Sequence, residues 1–181
     1  MQAEDFVREV RNTQFEFLSP QLLQLVVYKE EIFPNTEERG DQNADFRLSV
    51  LKALHKILSQ EDRPLVRFLL KQEIAFHENA WSIYESIRLC GFLLSLLAQV
   101  EDVGLLWEAK TTSFDTMCGF DVEFLVGAGV APTVSYLQSI QEEWSPDALE
   151  YIEKCQRTGS GFQNLERYRE ETHRFFNRIG S

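Results

Sequence analysis

The chain has 181 residues, of which 44% are hydrophobic and 26% are charged, and its formal net charge at pH 7 is -11. This composition is typical of a globular domain and argues against disorder. The excess of carboxylates argues against nucleic-acid binding, because proteins that bind a phosphate backbone present clustered Lys and Arg side chains. We therefore expect a single domain over residues 1–181 whose charged partner, where it has one, is a basic protein.

The N-terminal sequence Met1–Asp5 has no basic stretch followed by an apolar run, so it does not look like a secretory signal. The longest nearly apolar segment, Leu89–Ala98, is shorter than the roughly 20 residues that a membrane span requires. Cys90, Cys118 and Cys155 are odd in number and far apart, which argues against a disulfide framework and a zinc site. These features predict a cytoplasmic protein with no membrane contact, metal or other cofactor.

Apolar residues recur at helical spacing in short segments along the whole chain. Several of these segments begin with a capping serine followed by proline, as at Ser19-Pro20 and Ser145-Pro146. The longest connections are predicted at 35–42 and 158–163, and no linker rich in Pro, Gly or Ser divides the chain. The predicted helices cover residues 4–17, 20–33, 44–59, 63–79, 82–99, 101–112, 131–144, 146–156 and 164–178.

The segment 115–126 is ambiguous, because apolar and acidic residues alternate near its end as they do in a strand. We predict a helix there, which places Asp121 among apolar side chains; in a strand, Asp121 shares a face with Glu123 instead. Gly127 and Gly129 resemble part of a phosphate-binding loop, but the third glycine and the Gly-Lys-Ser/Thr continuation are missing. They are better interpreted as a helix stop.

Short helices joined by short connections pack as antiparallel neighbours, and this arrangement resembles a HEAT-type or similar α-helical repeat. The resemblance covers most of the chain and concerns architecture, since no repeat signature recurs at a fixed period. It implies an all-α fold of antiparallel helical hairpins, stacked as a short HEAT-like solenoid or a compact bundle. It also implies a concave surface suited to protein binding. The last helix, 164–178, has one charge-rich side and is expected to cap the stack.

Two polar residues, Glu73 and His77, lie inside the apolar arc of the predicted helix 63–79. They are neighbours on the helix surface, where a carboxylate can orient an imidazole or raise its pKa. Arg47 lies in the apolar arc of the preceding helix, so we expect an Arg47–Glu73 ion pair between adjacent helices. A buried structural contact is the favoured interpretation of the Glu73–His77 pair, and an acid/base or metal-binding pair is the alternative.

The centre of the chain is acidic, which predicts either a surface that binds a basic partner or a solvated face. Trp81 and Trp107 lie near predicted helix ends, where one edge of the ring can reach a surface groove and anchor a partner. The acidic residues of this candidate binding surface are Glu108, Asp115, Asp121 and Glu123.

These observations lead to two functional hypotheses. The first is a non-catalytic protein-interaction module, such as an inhibitor or immunity-type protein, that binds a basic protein through its acidic surface. The second is a small helical hydrolase or metal-dependent enzyme that uses Glu73, His77 and Asp121. We favour the first because no catalytic motif is found, and we expect a monomer or a weak dimer.

Overall fold

Ten α-helices and one short hairpin form the part of the chain that the computed structural model describes, residues 1–34 and 39–179. The all-α fold class is therefore confirmed. The hairpin consists of β1 (Glu30–Ile32) and β2 (Arg39–Asp41), which pair antiparallel with Glu30 opposite Asp41. The helices are α1 (Ala3–Thr13), α2 (Pro20–Leu23), α3 (Ala44–Ile57), α4 (Arg63–His77), α5 (Glu85–Leu96), α6 (Val103–Thr111), α7 (Phe114–Gly119), α8 (Val130–Ser139), α9 (Ser145–Thr158) and α10 (Leu165–Ile179).

The predicted helix over 20–33 is wrong for most of its length. Its start is right, since the Ser19 hydroxyl accepts a hydrogen bond from the Leu22 amide at 3.3 Å and so caps α2. The helix ends after one turn, and the chain then forms β1, whose exposed residues offer no apolar stripe to bury. The predicted loop 35–42 contains β2, and residues 35–38 of that loop lie outside the described residues.

Six other predicted helices are shorter in the structure, and three of them have an end that differs from the prediction by three residues or more. The first ends at Thr13, because Gln14 has a φ of 66° and a ψ of 142°, and Phe15–Phe17 then forms a 3-10 turn. The predicted helix 82–99 begins at Glu85, and the predicted helix 131–144 ends at Ser139. Helix ends are the least reliable part of any such prediction, since local pattern does not fix where a cap forms.

The ambiguous segment 115–126 is helical except at Phe120 and Asp121, whose backbone is extended, and the strand alternative is wrong. α7 is followed by a 3-10 turn over Val122–Val126. Gly127 follows this turn and packs directly on α5, where a Cβ would overlap the backbone carbonyl of Ser95. Gly129 has a φ of 106° and precedes α8, so the two glycines do separate helical segments.

Helices α4 and α6 begin in the same way. Each follows a 3-10 turn that ends in a buried aspartate, Asp62 before α4 and Asp102 before α6, and the two are 40 positions apart. The Arg11 guanidinium of α1 donates to both oxygens of Asp62, at 2.9 and 2.7 Å. The Arg63 guanidinium of α4 donates to both oxygens of Asp102, each at 2.9 Å. Each aspartate thus joins the start of one helix to an earlier helix.

The core lies between α3, α4 and α5, and α10 covers one side of it, as expected of a terminal helix. Phe176 of α10 stacks on Phe92 of α5 with ring centroids 5.7 Å apart, and it also contacts His55 of α3. Burial, and to a smaller extent the neighbouring His173, lower the pKa of His55 to about 4. The α3–α10 contact therefore contains an imidazole that stays neutral at pH 7.

Replacing Gly127 with alanine should lower the free energy of unfolding by about 2–3 kcal/mol, because the new methyl group overlaps backbone atoms that cannot rotate away. Urea denaturation followed by circular dichroism measures the loss. Gly161→Ala is the matched control, since its Cβ meets the side-chain atom Cγ1 of Val122 at 3.1 Å, which can shift. Equal losses in the two variants would contradict the proposed close approach.

Candidate functional site

The polar residues predicted on the apolar helix arcs form a buried ionic network. Arg47 donates from Nε to Glu73 Oε1 at 2.6 Å and from Nη2 to the Asp41 carboxylate, and all three side chains are fully buried. The second oxygen of Glu73 accepts a hydrogen bond from the Ser86 hydroxyl at 2.5 Å. The predicted Arg47–Glu73 contact is thus confirmed. The network joins β2, α3, α4 and α5.

Asp41 was not singled out by sequence reasoning, and it fixes the base of the hairpin. Its Oδ1 atom accepts hydrogen bonds from the backbone amides of Lys29 and Asn43, each at 3.0 Å. The Asn43 side chain in turn donates to the carbonyls of Gln24 and Val27, at 2.9 and 2.8 Å. These bonds satisfy backbone groups between α2 and α3 that lack regular helical partners.

His77 is a structural link between Glu73 and the loop that follows α4. Its Nδ1 atom lies 2.7 Å from the backbone carbonyl of Glu73, and its Nε2 atom accepts a hydrogen bond from the Tyr84 amide at 3.1 Å. This pattern requires the neutral imidazole with its proton on Nδ1. Burial lowers the pKa of His77, and this shift favours the neutral form of the imidazole. The Glu73 carboxylate stays 3.8 Å from Nδ1, so the predicted neighbours meet through the backbone.

Asp121 belongs to a different ion pair. Its Oδ2 atom accepts a hydrogen bond from Arg88 Nη2 at 3.0 Å, and the Arg88 guanidinium lies over the Phe175 ring, 5.4 Å from its centroid. The structure thus brings Glu73 and His77 together but does not add Asp121 to their contacts. In the described ranges 1–34 and 39–179, no group of three or more His, Cys, Asp or Glu side chains is arranged to hold a metal ion.

The other candidate binding residues differ in exposure. Glu108 is exposed on α6, and Asp115 is half-buried on α7. Glu123 is half-buried, and desolvation raises the pKa of its carboxyl group although backbone amides donate to it. Trp107 is buried, with its ring centroid 5.6 Å from that of Tyr151, so it belongs to the core rather than to a surface groove.

Two exposed aromatic residues lie on elements that are in contact with each other. Trp81 is 69% exposed in the loop after α4, and Phe114 is 82% exposed at the first position of α7. Two residues after Trp81, Ile83 packs on Gly119 so closely that a Cβ there would lie 2.9 Å from Ile83 Cγ2. The loop after α4 therefore lies against α7. We use the name aromatic-acidic face for five surface residues on this loop, on α6 and on α7, the last two being in contact: Trp81, Glu108, Phe114, Asp115 and Cys118.

Phe114 and Cys118 were missed in the sequence, and the cap of α7 explains why Phe114 faces outward. The Ser113 hydroxyl accepts a hydrogen bond from the Thr116 amide at 3.2 Å, and the Thr116 hydroxyl accepts one from the Ser113 amide at 2.9 Å. This reciprocal cap buries Thr116 and leaves Phe114 on the outer side of the first turn. The Ser-Phe-Asp-Thr sequence is a signal that could have located the helix start.

Comparison of the chain with models of protein families, with curated proteins and with solved structures yields no match. No helix within residues 1–34 and 39–179 has the length and apolar character needed to cross a membrane. Evidence on the function of this protein therefore comes from the chemistry of its side chains and its surface.

A double-mutant cycle on Arg47 and Glu73 should reveal strong coupling. Arg47→Met should cost about 3–5 kcal/mol of stability, because it leaves the Glu73 and Asp41 carboxylates buried without a counter-charge. Glu73→Leu should cost less, because Asp41 still pairs with Arg47, and the double variant should lose less than the sum of the two single losses. Urea denaturation measures the three losses. Additive losses would rule out the coupling. Ser86→Ala removes a single hydrogen bond to Glu73, and it replaces the charge variant in the measurement where that variant does not fold.

Acidification from pH 7 to pH 5 should destabilise the protein. The pKa values of His77 and His55 are lowered in the folded state. Their contribution to the free energy of unfolding is therefore complete above about pH 6.5, and it is lost at lower pH because the unfolded chain takes up protons there. We expect a loss of about 1–2 kcal/mol from His55, allowing for water near the ring. His55→Phe, whose ring fits beside Phe92 and Phe176, should reduce the pH dependence of the urea midpoint. An unchanged pH dependence would contradict this assignment.

Proposed function

We propose that this protein is a non-catalytic interaction module that binds a basic protein through the aromatic-acidic face. The observation that carries the proposal is the 82% exposure of Phe114 beside Asp115 on α7. A large aromatic side chain left this exposed loses the benefit of burial, and such residues commonly anchor a partner. Trp81 supplies a second exposed ring on the adjoining loop.

Charge supports a basic partner. Within the described residues, the side chains of Glu108 and Asp115 form no ion pair, so their carboxylates are available to Lys or Arg side chains of another protein. The net charge of -11 adds a field that attracts such a partner and speeds encounter. An inhibitor or immunity-type role fits this arrangement, because an acidic surface of this kind covers a basic one.

The interior supports a non-catalytic role. Glu73 and His77 are fully buried in contacts that hold helices and a loop, and Asp121 is paired with Arg88. Burial also raises the pKa of the Cys90 thiol, which disfavours the nucleophilic thiolate. The proposal includes a cytoplasmic location and a monomer or weak dimer, consistent with the free state of all three cysteines.

The test begins with a pull-down from the native organism, in which the tagged full chain captures proteins at low and at high salt. A basic protein that is retained at low salt is then purified. That protein should protect Cys118 from iodoacetamide, since Cys118 is exposed on the proposed face while Cys90 and Cys155 are buried. Phe114→Ala should weaken binding at least tenfold, and Ile57→Ala is the control because Ile57 is an exposed apolar residue on α3.

Charge reversal tests the electrostatic part separately. The double variant Glu108→Lys and Asp115→Lys should slow association and reduce its salt dependence, whereas Glu4→Lys on α1 should change neither by more than about twofold. Unprotected Cys118, or equal effects of Phe114→Ala and Ile57→Ala, would refute the proposed face. Metal-dependent hydrolysis lost in a folded His77→Ala variant would favour the enzyme instead.

A further inference from the structure

A groove of about 430 Å³ lies between α4 and the 3-10 turn that follows α1. The α4 side presents Arg63, Arg67 and Lys71, which follow one another at intervals of one helical turn. The apolar part is formed by Phe15 of the turn and Phe68 of α4, whose ring centroids are 5.3 Å apart. The groove thus combines a cationic side with an aromatic side.

The three cations of the groove differ in how far neighbouring carboxylates neutralise their charge. Arg63 is held by Asp102 through two hydrogen bonds and has Glu101 3.9 Å away. Arg67 reaches Asp102 through Nη1, which leaves Nε and Nη2 available, and about a third of its side chain is exposed. Lys71 is exposed and forms no ion pair with any described residue. Positive charge is therefore available at the Arg67–Lys71 end.

This local positive charge is opposite in sign to the net charge of the whole chain, which is -11. Charges more than about 8 Å away are largely screened at physiological ionic strength, so a ligand in the groove interacts mainly with the charges within that distance. The Asp102 and Glu101 carboxylates offset the charge at the Arg63 end, and Glu16 is the single carboxylate among the lining residues, so positive charge is available at the Arg67–Lys71 end. The groove therefore favours an anionic ligand, unlike the aromatic-acidic face.

The spacing of the cations indicates the shape of the ligand. Residues four apart on a helix are separated by about 6 Å along its axis. Alternate residues of an extended peptide are separated by about 6.6 Å and point to the same side. Two acidic residues at positions i and i+2 thus match Arg67 and Lys71, while the residue between them points to the opposite side of the peptide, away from the two cations.

The wall opposite α4 has the character of a recognition segment. It begins at Gln14, whose φ of 66° and ψ of 142° are costly for a residue other than glycine, and such strain concentrates at functional segments. Phe17 in the same turn is 72% exposed. The turn that forms this wall thus also carries an exposed aromatic residue.

We propose that this groove binds an extended acidic peptide segment of another protein, with two carboxylates around one apolar residue. The carboxylates contact Arg67 and Lys71, and the apolar side chain packs on Phe15. Asp102 stays neutralised by Arg63 when Arg67 turns to the ligand, so binding requires no change in α6. This site is separate from the aromatic-acidic face and does not depend on it.

The test uses NMR titration of the full chain with a synthetic Gly-Glu-Leu-Glu-Gly peptide, acetylated and amidated at its ends. Amide shifts should concentrate at 14–17 and 63–71, and the peptide should bind at least fivefold more tightly than Gly-Leu-Glu-Glu-Gly, which has the same composition. Lys71→Glu should weaken binding at least tenfold, while Lys154→Glu, the same change on exposed α9, should alter it by less than twofold.

Three results would overturn the proposal. Equal affinity for the two peptides would remove the argument from spacing, and equal effects of Lys71→Glu and Lys154→Glu would remove the groove as the binding site. Tighter binding of inorganic phosphate or of a single-stranded oligonucleotide, with shifts at the same amides, would assign the groove to phosphate groups instead.

Discussion

The structure depends on the burial of one guanidinium group. Arg47 is removed from water, and its positive charge is tolerated because the Asp41 and Glu73 carboxylates surround it, with the Val26 carbonyl 3.4 Å from Nη1. The energy of such a group depends steeply on the presence of its partners, since an unpaired buried charge costs several kcal/mol. β2, α3 and α4 must therefore meet in one arrangement. The hairpin, which buries little apolar surface of its own, takes its position from this ionic contact.

The same network positions the loop that follows α4. Glu73 is the branch point, because its carboxylate binds Arg47 and Ser86 while its backbone carbonyl orients His77. His77 holds the Tyr84 amide, and this bond fixes the end of the loop that carries Trp81. Buried polar groups that are fully satisfied make a structure rigid but leave no group free for a ligand. This network thus positions the loop that carries Trp81, in agreement with our proposal that a partner binds at the surface.

The limits of sequence reasoning follow from the range of the interactions. Arg47 and Glu73 could be identified because a charged residue inside an apolar helical arc requires a buried partner, and each helix showed a clear period. The hairpin could not be predicted, because β1 is polar and its pairing depends on Asp41, which contacts residues from other elements. The exposure of Phe114 could not be predicted either, because it depends on which surfaces the other segments of the chain cover. The aspartates before α4 and α6 both follow a glutamate, but the same dipeptide also occurs at 4–5 inside α1, so it does not identify a repeat in the sequence.

The two proposed binding surfaces are connected by α6, and the ion pairs at its start explain why they can act independently. α6 begins beside Asp102, next to the groove, and carries Glu108 of the aromatic-acidic face near its other end. A ligand that attracted Arg67 would destabilise α6 only if Asp102 were left unpaired, because that carboxylate is fully buried. Arg63 binds both oxygens of Asp102 and prevents this outcome. Asp102 also precedes the N-terminus of α6, where the helix dipole favours a negative charge. The carboxylate thus has two sources of stabilisation besides Arg67, and a peptide in the groove leaves the position of Glu108 unchanged.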